Sequence, residues 1–362
     1  MPHSSGRSTK GYDDPGRIAS MNGPRNIGGR LRLMSDFLLR KPAPRSGPSV
    51  VTVETTTRCN LRCRGCFRRY DAIGERVLPM EPFRSLVEQG QGRINLINLF
   101  GMGEPLLDPL LSERIALCSD VGIRTHVSTN ATLLDERACR ELIDAGLSAI
   151  TFSVDSLQPE VYEQARPGAR YAETVRNIIR FIQIAQGDRR RPLAFVKMVA
   201  DSRNLAEAGS LRSYWRERGI DDVRIVSDEF GSLADRAAIR ENEHASSGPC
   251  PFLWQGPALV RADGGLYPCC AAGLGGKPLA NLFQTTLHEF WTGPIMTRVR
   301  RGHLERGRYP GLDCYSCRSA KPLPLLAYPS FLADAISARR WGMRLEHWAR
   351  KLQMEVTFHA IN

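Results

Sequence analysis

The stretch 59-CNLRCRGC-66 sets Cys59, Cys63 and Cys66 within eight residues, spaced C-x3-C-x2-C. A closed structural zinc site takes four ligands. Residues 67–116 contain neither Cys nor His to complete one. Iron–sulfur cubanes are usually held by four cysteines. Three thiolates therefore suit a [4Fe–4S] cluster with one iron left open, the mark of a catalytic rather than a structural metal site. Gly65 allows a tight wrapping loop. A fragment of a zinc site, or chance reactive thiols, are the alternatives.

Outward from this stretch, short β-branched runs alternate with amphipathic stretches of helix length. Strands are expected at 49–54, 94–100, 124–129, 149–154, 193–199 and 222–226, with helices near 81–91, 109–121, 135–145, 171–186 and 204–218. Six β-then-α units predict an α/β fold with a parallel sheet. Such sheets bind ligands at the carboxyl ends of their strands. Four polar or glycine-rich features fall there: the cysteine triplet, "GMGEP" (101–105), "STNAT" (128–132) and "SVDS" (153–156).

Together, "CNLRCRGC" after strand one and "GMGEP" after strand two resemble the radical S-adenosylmethionine (SAM) superfamily, over roughly residues 48–230. The resemblance implies a partial (β/α)6 barrel whose open iron chelates SAM. Reductive cleavage of SAM then gives a 5′-deoxyadenosyl radical that abstracts hydrogen from substrate. It also implies that Gly101, Met102, Gly103 and Glu104 meet the SAM ammonium, and that Ser153, Asp155 and Arg166 lie near its ribose and carboxylate, with Asn130 on the same rim. Each has a plainer alternative: a strand-capping turn for "GMGEP", a helix cap for Asp155, a surface cation for Arg166, a turn for Asn130.

A second set runs from Cys250 through Gly264 to Cys269 as C-x13-G-x4-C, then Cys314 and Cys317 as C-x2-C. It resembles the SPASM/twitch extensions of radical SAM enzymes, which bind auxiliary [4Fe–4S] clusters. Cys250, Cys269, Cys314 and Cys317 would hold one such cluster, as in the shorter twitch form, since no cysteine follows Cys317. "DGGLYP" (263–268) reads as a hairpin turn. Neighbouring strand residues face opposite ways, so Cys270 is not expected to share the cluster of Cys269. A zinc site is the alternative. Cys118 and Cys139 fall in helical patterns as core thiols.

The expected organisation is a disordered basic tail (1–46), a radical SAM core (47–230), a linker (231–248), a cluster module (249–320) and a C-terminal amphipathic helix (321–362). Within the first tail, "LRLMSDFLLR" (31–40) has helical character. Net charge is +12, but residues 1–45 carry nine Lys/Arg against three acids and residues 318–362 seven against three. The body is nearly neutral, which argues against a nucleic-acid groove. No apolar run is long enough to span a membrane and no signal peptide is visible, so the cysteines are expected in a reducing cytoplasm.

An oxidative reaction needs a base. Asp228, Glu229, Lys197 and Tyr267 are candidates on the rim, and a flavodoxin- or ferredoxin-type reductant is implied. Peptide-modifying relatives often carry an N-terminal recognition domain of about 80 residues, a size that folds independently. With only a short segment before strand one, a small metabolite (a sugar, aminocyclitol or nucleoside) is the expected substrate. A peptide substrate and a non-catalytic iron–sulfur scaffold are the alternatives.

Overall fold

The computed structural model describes residues 27–66, 68, 74–188, 190–227, 249–273, 276–306, 309 and 312. Six parallel strands, β1 (Val50–Val53), β2 (Leu96–Leu99), β3 (Arg124–Thr129), β4 (Ala149–Ser153), β5 (Leu193–Ala200) and β6 (Asp222–Ser227), lie side by side in chain order. Helices α2 (Met80–Gly90), α3 (Leu111–Asp120), α4 (Glu136–Asp144), α5 (Pro159–Ala165), α6 (Tyr171–Gln186) and α7 (Ala208–Glu217) return the chain between them. This is the expected α/β architecture, and all six strands fall where β-branched runs placed them.

The helices cover the outer face because their apolar residues repeat at helical spacing. On α6, Val175, Ile178, Phe181, Ile182 and Ala185 are buried, and Phe181 packs edge-on against Phe152 of β4 at 5.5 Å. Each large side chain so buried stabilises the fold by about 1.5–3 kcal/mol. Asp135 caps α4 by accepting from the Ala138 amide at 2.7 Å. Cys118 and Cys139 are fully buried, and burial pushes both thiols up to about 12.

β3 alternates half-buried and buried along its whole length, so one face meets the helices and the other faces a solvent-accessible lumen. Ala149, Leu193 and Phe195 form a separate apolar cluster on the lumen face of β4 and β5. Polar side chains stand above it.

Beyond β1 the sheet continues. β7 (Ala258–Val260) pairs parallel with β1, and β8 (Gly265–Tyr267) and β9 (Ala280–Asn281) follow antiparallel, giving nine strands in the order β6-β5-β4-β3-β2-β1-β7-β8-β9. The turn at 261–265 is the hairpin anticipated from "DGGLYP", closed by Gly264 N–H donating to Arg261 O at 2.9 Å. The segment around the second cysteine set is therefore an extension of the barrel sheet. Short helices α8 (Phe252–Gln255) and α9 (Leu287–Thr292) precede α10 (Pro294–Arg306).

Residues 27–46 depart from the expected tail. Helix α1 (Ile27–Leu38) buries Leu33 and Phe37, and Phe37 meets Trp254 of α8 edge-on at 5.5 Å. Trp254 Nε1 donates to Lys41 O at 2.8 Å, and the buried Arg300 of α10 donates to Pro42 O at 3.3 Å. The partners for this segment come from more than 200 residues along the chain, so its local composition could not show them. The linker at 231–248 and the helix at 321–362 lie outside the described residues. Among the described residues no helix is long and apolar enough to cross a membrane.

Candidate active site

The cysteine loop leaves β1 at the carboxyl end of the sheet and is held from two sides. Arg62 N–H donates to Pro167 O at 3.2 Å and Arg64 N–H to Ala165 O at 3.0 Å, tying the loop to the end of α5. Asn60 donates to Thr132 Oγ1 at 2.8 Å and accepts from Asn130 Nδ2 at 3.0 Å, tying it to the turn after β3. The three thiols are half-buried. Burial pushes Cys59 and Cys63 above the ordinary thiol range, while the Arg166 charge works against this at Cys63. Among the described residues no three His, Cys, Asp or Glu converge on one metal-ion position. A cubane spreads its irons over separate corners and asks thiolates to surround a volume instead. Three partly accessible thiols on one braced loop, with a cation beside Cys63, fit that group.

Gly103 brings the "GMGEP" loop against the cysteine loop. A Cβ there would lie 2.2 Å from Thr56 O and 2.7 Å from Arg58 O, and Glu104 N–H donates to Arg58 O at 2.7 Å. The placement of Glu104 differs from the expectation of an ammonium contact. Its carboxylate is buried and accepts from Thr129 Oγ1 (2.6 Å), Asn130 N–H (2.8 Å) and Leu106 N–H (3.1 Å). Burial raises its pKa despite these donors. Glu104 therefore braces the loop from beneath, while Gly101 is exposed and Met102 and Gly103 are half-buried.

Asn130 accepts from Thr132 N–H at 2.9 Å, forming the turn, and also joins that turn to Asn60. Asp155 and Arg166 form a buried pair, Nε to Oδ2 2.8 Å, with Val199 N–H on the other carboxylate oxygen at 3.0 Å. Arg166 Nη1 lies 3.9 Å from Cys63 Sγ. Burial opposes the Arg166 charge, but Asp155, Cys63 and Tyr162 together hold its pKa above the ordinary arginine range. Ser153 ends β4 in register with Lys197. The structure thus brings Cys63, Asp155 and Arg166 together and sets Asn130 against the cysteine loop.

Of the candidate bases, Asp228 and Glu229 lie outside the described residues. Tyr267 is buried on β8, and burial pushes its phenol up despite the Arg261 hydrogen bond. That direction is wrong for a base. Lys197 is half-buried on the lumen face, and burial, then the Arg166 charge, lower its pKa. That direction favours a proton acceptor.

A lumen residue that motif reading missed is His126. Its Nδ1 lies 3.1 Å from Asn98 Oδ1 and its Nε2 2.8 Å from Thr151 Oγ1. Asn98 donates to Thr52 Oγ1 at 3.2 Å, and Cys270 Sγ lies 3.5 Å from the same hydroxyl. A polar ladder thus crosses β4, β3, β2 and β1 to Cys270. With Asn98 oriented so that its nitrogen meets Thr52, its oxygen faces His126, an arrangement that matches the tautomer protonated on Nδ1 with Nε2 accepting from the Thr151 hydroxyl. The only available signal was a histidine at an alternating position of a strand. Cys250 is buried before α8, and Cys269 is half-buried after β8. Cys314 and Cys317 lie outside the described residues.

The radical SAM superfamily model matches residues 53–186, and an iron–sulfur cluster-binding domain model (SPASM) matches residues 250–318. A tungsten-containing aldehyde ferredoxin oxidoreductase cofactor-modifying protein of Pyrococcus furiosus is 25% identical over 179 residues, 48% of this chain and 49% of that protein. A probable GTP 3′,8-cyclase of Methanococcus maripaludis is 30% identical over 206 residues, 51% of this chain and 67% of that protein. The chain therefore spans about half the length of the first and two thirds of the second. The structure of Streptococcus suis SuiB bound to precursor peptide SuiA superposes with a TM-score of 0.59 at 14% identity, covering 90% of this chain and 81% of that one. At that identity the likeness shows the fold.

Proposed function

Because the chain belongs to the radical SAM superfamily and carries a SPASM-type extension, we propose that it cleaves SAM at a [4Fe–4S] cluster held by Cys59, Cys63 and Cys66 and acts on a small polar metabolite in the barrel lumen. When bound, the cluster and SAM supply a radical that removes a hydrogen atom from substrate. The protein's own part is to place the reactants. Arg166, anchored by Asp155, offers a fixed cation beside Cys63 for an anionic group. The carbonyls of Gly101, Met102 and Gly103 offer acceptors to an ammonium. Cys250, Cys269, Cys314 and Cys317 are the proposed ligands of an auxiliary cluster, an acceptor for the electron released in an oxidation. Lys197 is the proposed acceptor for the accompanying proton.

The observation that carries the substrate class is the ladder Thr52–Asn98–His126–Thr151. Hydrogen-bonding side chains above the apolar floor suit hydroxyl or amide groups of a compact ligand. A second reading, a peptide substrate, rests on a different feature. A groove of about 650 Å³ runs between α2 and the 282–289 segment, with Phe283 half-exposed along it.

Anaerobic reconstitution with iron and sulfide counting tests the proposal. Two cubanes give roughly eight irons per chain, and dithionite-reduced protein should release 5′-deoxyadenosine from SAM. Replacing Cys59, Cys63 and Cys66 with Ala should halve the iron and abolish that release. Absence of 5′-deoxyadenosine from fully loaded wild-type protein sinks the reading.

A further inference from the structure

Glu54 follows β1 directly and is 1% exposed. Its two carboxylate oxygens serve different parts of the molecule. Oε1 accepts from Met102 N–H at 2.8 Å, in the loop after β2. Oε2 accepts from Ala262 N–H at 3.2 Å and from Arg261 Nε at 3.4 Å, in the hairpin that leads to Cys269. The Glu54 backbone N–H adds a bond to Val260 O at 2.8 Å. The stem of the side chain fills the space a side chain at Gly101 would need, since a Cβ there would lie 2.6 Å from Glu54 Cβ. Arg261 also hydrogen-bonds Tyr267 on the returning strand. One buried carboxylate thus clamps the 101–104 loop and the 261–267 hairpin.

Buried carboxylates need their donors, because an unmet acceptor out of water is costly. Neither loop can move far without unpairing an oxygen of Glu54 or dragging the other loop with it. Two elements joined this way share their fluctuations, and ordering one lowers the cost of ordering the other. We propose that Glu54 is a positioning residue that couples SAM binding at the 101–104 loop to the ordering of the auxiliary-cluster hairpin, so that the two cofactor regions are set together rather than independently. Coupling between sites is reciprocal, so weakening the hairpin end must also weaken SAM binding. This rests on the reading of the 101–104 loop as part of the SAM site.

The test is hydrogen exchange of reconstituted full-length protein, with and without saturating SAM, alongside equilibrium SAM binding. In wild type, SAM should slow exchange of amides in 258–267 at least threefold. E54Q puts a donor-bearing amide where Met102, Arg261 and Ala262 all require an acceptor. It should lose the hairpin response and bind SAM at least tenfold more weakly. Should E54Q fail to take up iron, Arg261→Met carries the test by removing the side-chain donor at the hairpin end while leaving Ala262 N–H on Oε2 and the Met102 bond intact. It should at least halve the hairpin response and weaken SAM binding by a few fold. If wild type binds SAM while the hairpin exchange is unchanged, the coupling is overturned and the SAM-site reading stands. If both variants respond like wild type, Glu54 does not carry the coupling. Failure of wild type to bind SAM overturns both.

Discussion

Arg166 Nη1 lies 3.9 Å from Cys63 Sγ, while the same guanidinium holds Asp155 at 2.8 Å through Nε. The pair therefore delivers one oriented positive charge to the edge of the cysteine loop, with its own counter-charge facing the barrel. A cation beside a thiolate ligand favours the more negatively charged, reduced state of whatever the thiolate binds.

Arg166→Met should accordingly shift the midpoint potential of the cluster on the 59–66 loop to more negative values in an EPR-monitored titration. It should also strand Asp155 as a buried carboxylate, costing roughly 3 kcal/mol. The double variant with Asp155→Asn should recover much of that stability and, because Asp155 opposes Arg166 at Cys63, only part of the potential. An unchanged midpoint in Arg166→Met would show that the contact with Cys63 has no electrostatic consequence.

Gly103 and Gly65 look equivalent in the sequence and are opposites in the structure. A Cβ at Gly103 collides with two backbone carbonyls, whereas one at Gly65 meets nothing within 4 Å. Gly103→Ala should push the 101–104 loop off the cysteine loop, cut SAM cleavage at least a hundredfold, and lower iron from about eight toward four per chain. Gly65→Ala should retain iron and activity within about twofold, as expected for an open surface site. Equal damage from both would mean that the cysteine loop, not its neighbour, sets the geometry.

The contrast between these glycines shows what the sequence could and could not convey. Strand and helix periodicity is local, so all six strands and the five expected helices between them were legible. The cysteine spacing was legible for the same reason. The roles of Glu54 and Glu104 were not, because each depends on which amides converge on the carboxylate from other strands. Glu104 drew attention through its motif and turned out to face inward. Glu54, five residues before Cys59, belongs to no motif that marks it. The docking of residues 27–46 onto Trp254 and Arg300 was hidden in the same way.

His126 is held by two lumen-facing partners, and a purely structural histidine and a substrate contact differ in what their loss does. His126→Gln should leave SAM cleavage in the absence of substrate within about twofold of wild type. It should lower product formation at least tenfold, with KM raised, as expected when a positioned polar contact worth about 1–2 kcal/mol is lost. Comparing 5′-deoxyadenosine release with product release makes the measurement. Parallel loss of both would assign His126 to holding the barrel together.

Lys197 supplies the pH argument. Burial, and then Arg166, depress its pKa in the folded protein below the ordinary 10.5. Below the folded pKa both states carry the proton, and the fold bears the full cost of a buried ammonium. As pH rises from the folded pKa toward 10.5, the folded lysine is already neutral while the unfolded one is still charged, so stability recovers. Lys197→Met should therefore unfold at a higher temperature than wild type at pH 7, and the gap should narrow as the pH is raised toward 10.5. If Lys197 takes the substrate proton, the same variant should lose product formation on the order of 100-fold while still releasing 5′-deoxyadenosine. A Met variant less stable than wild type at pH 7 would instead show that Lys197 is retained as a structural partner of Asp155, since only a favourable ion pair could make its removal costly.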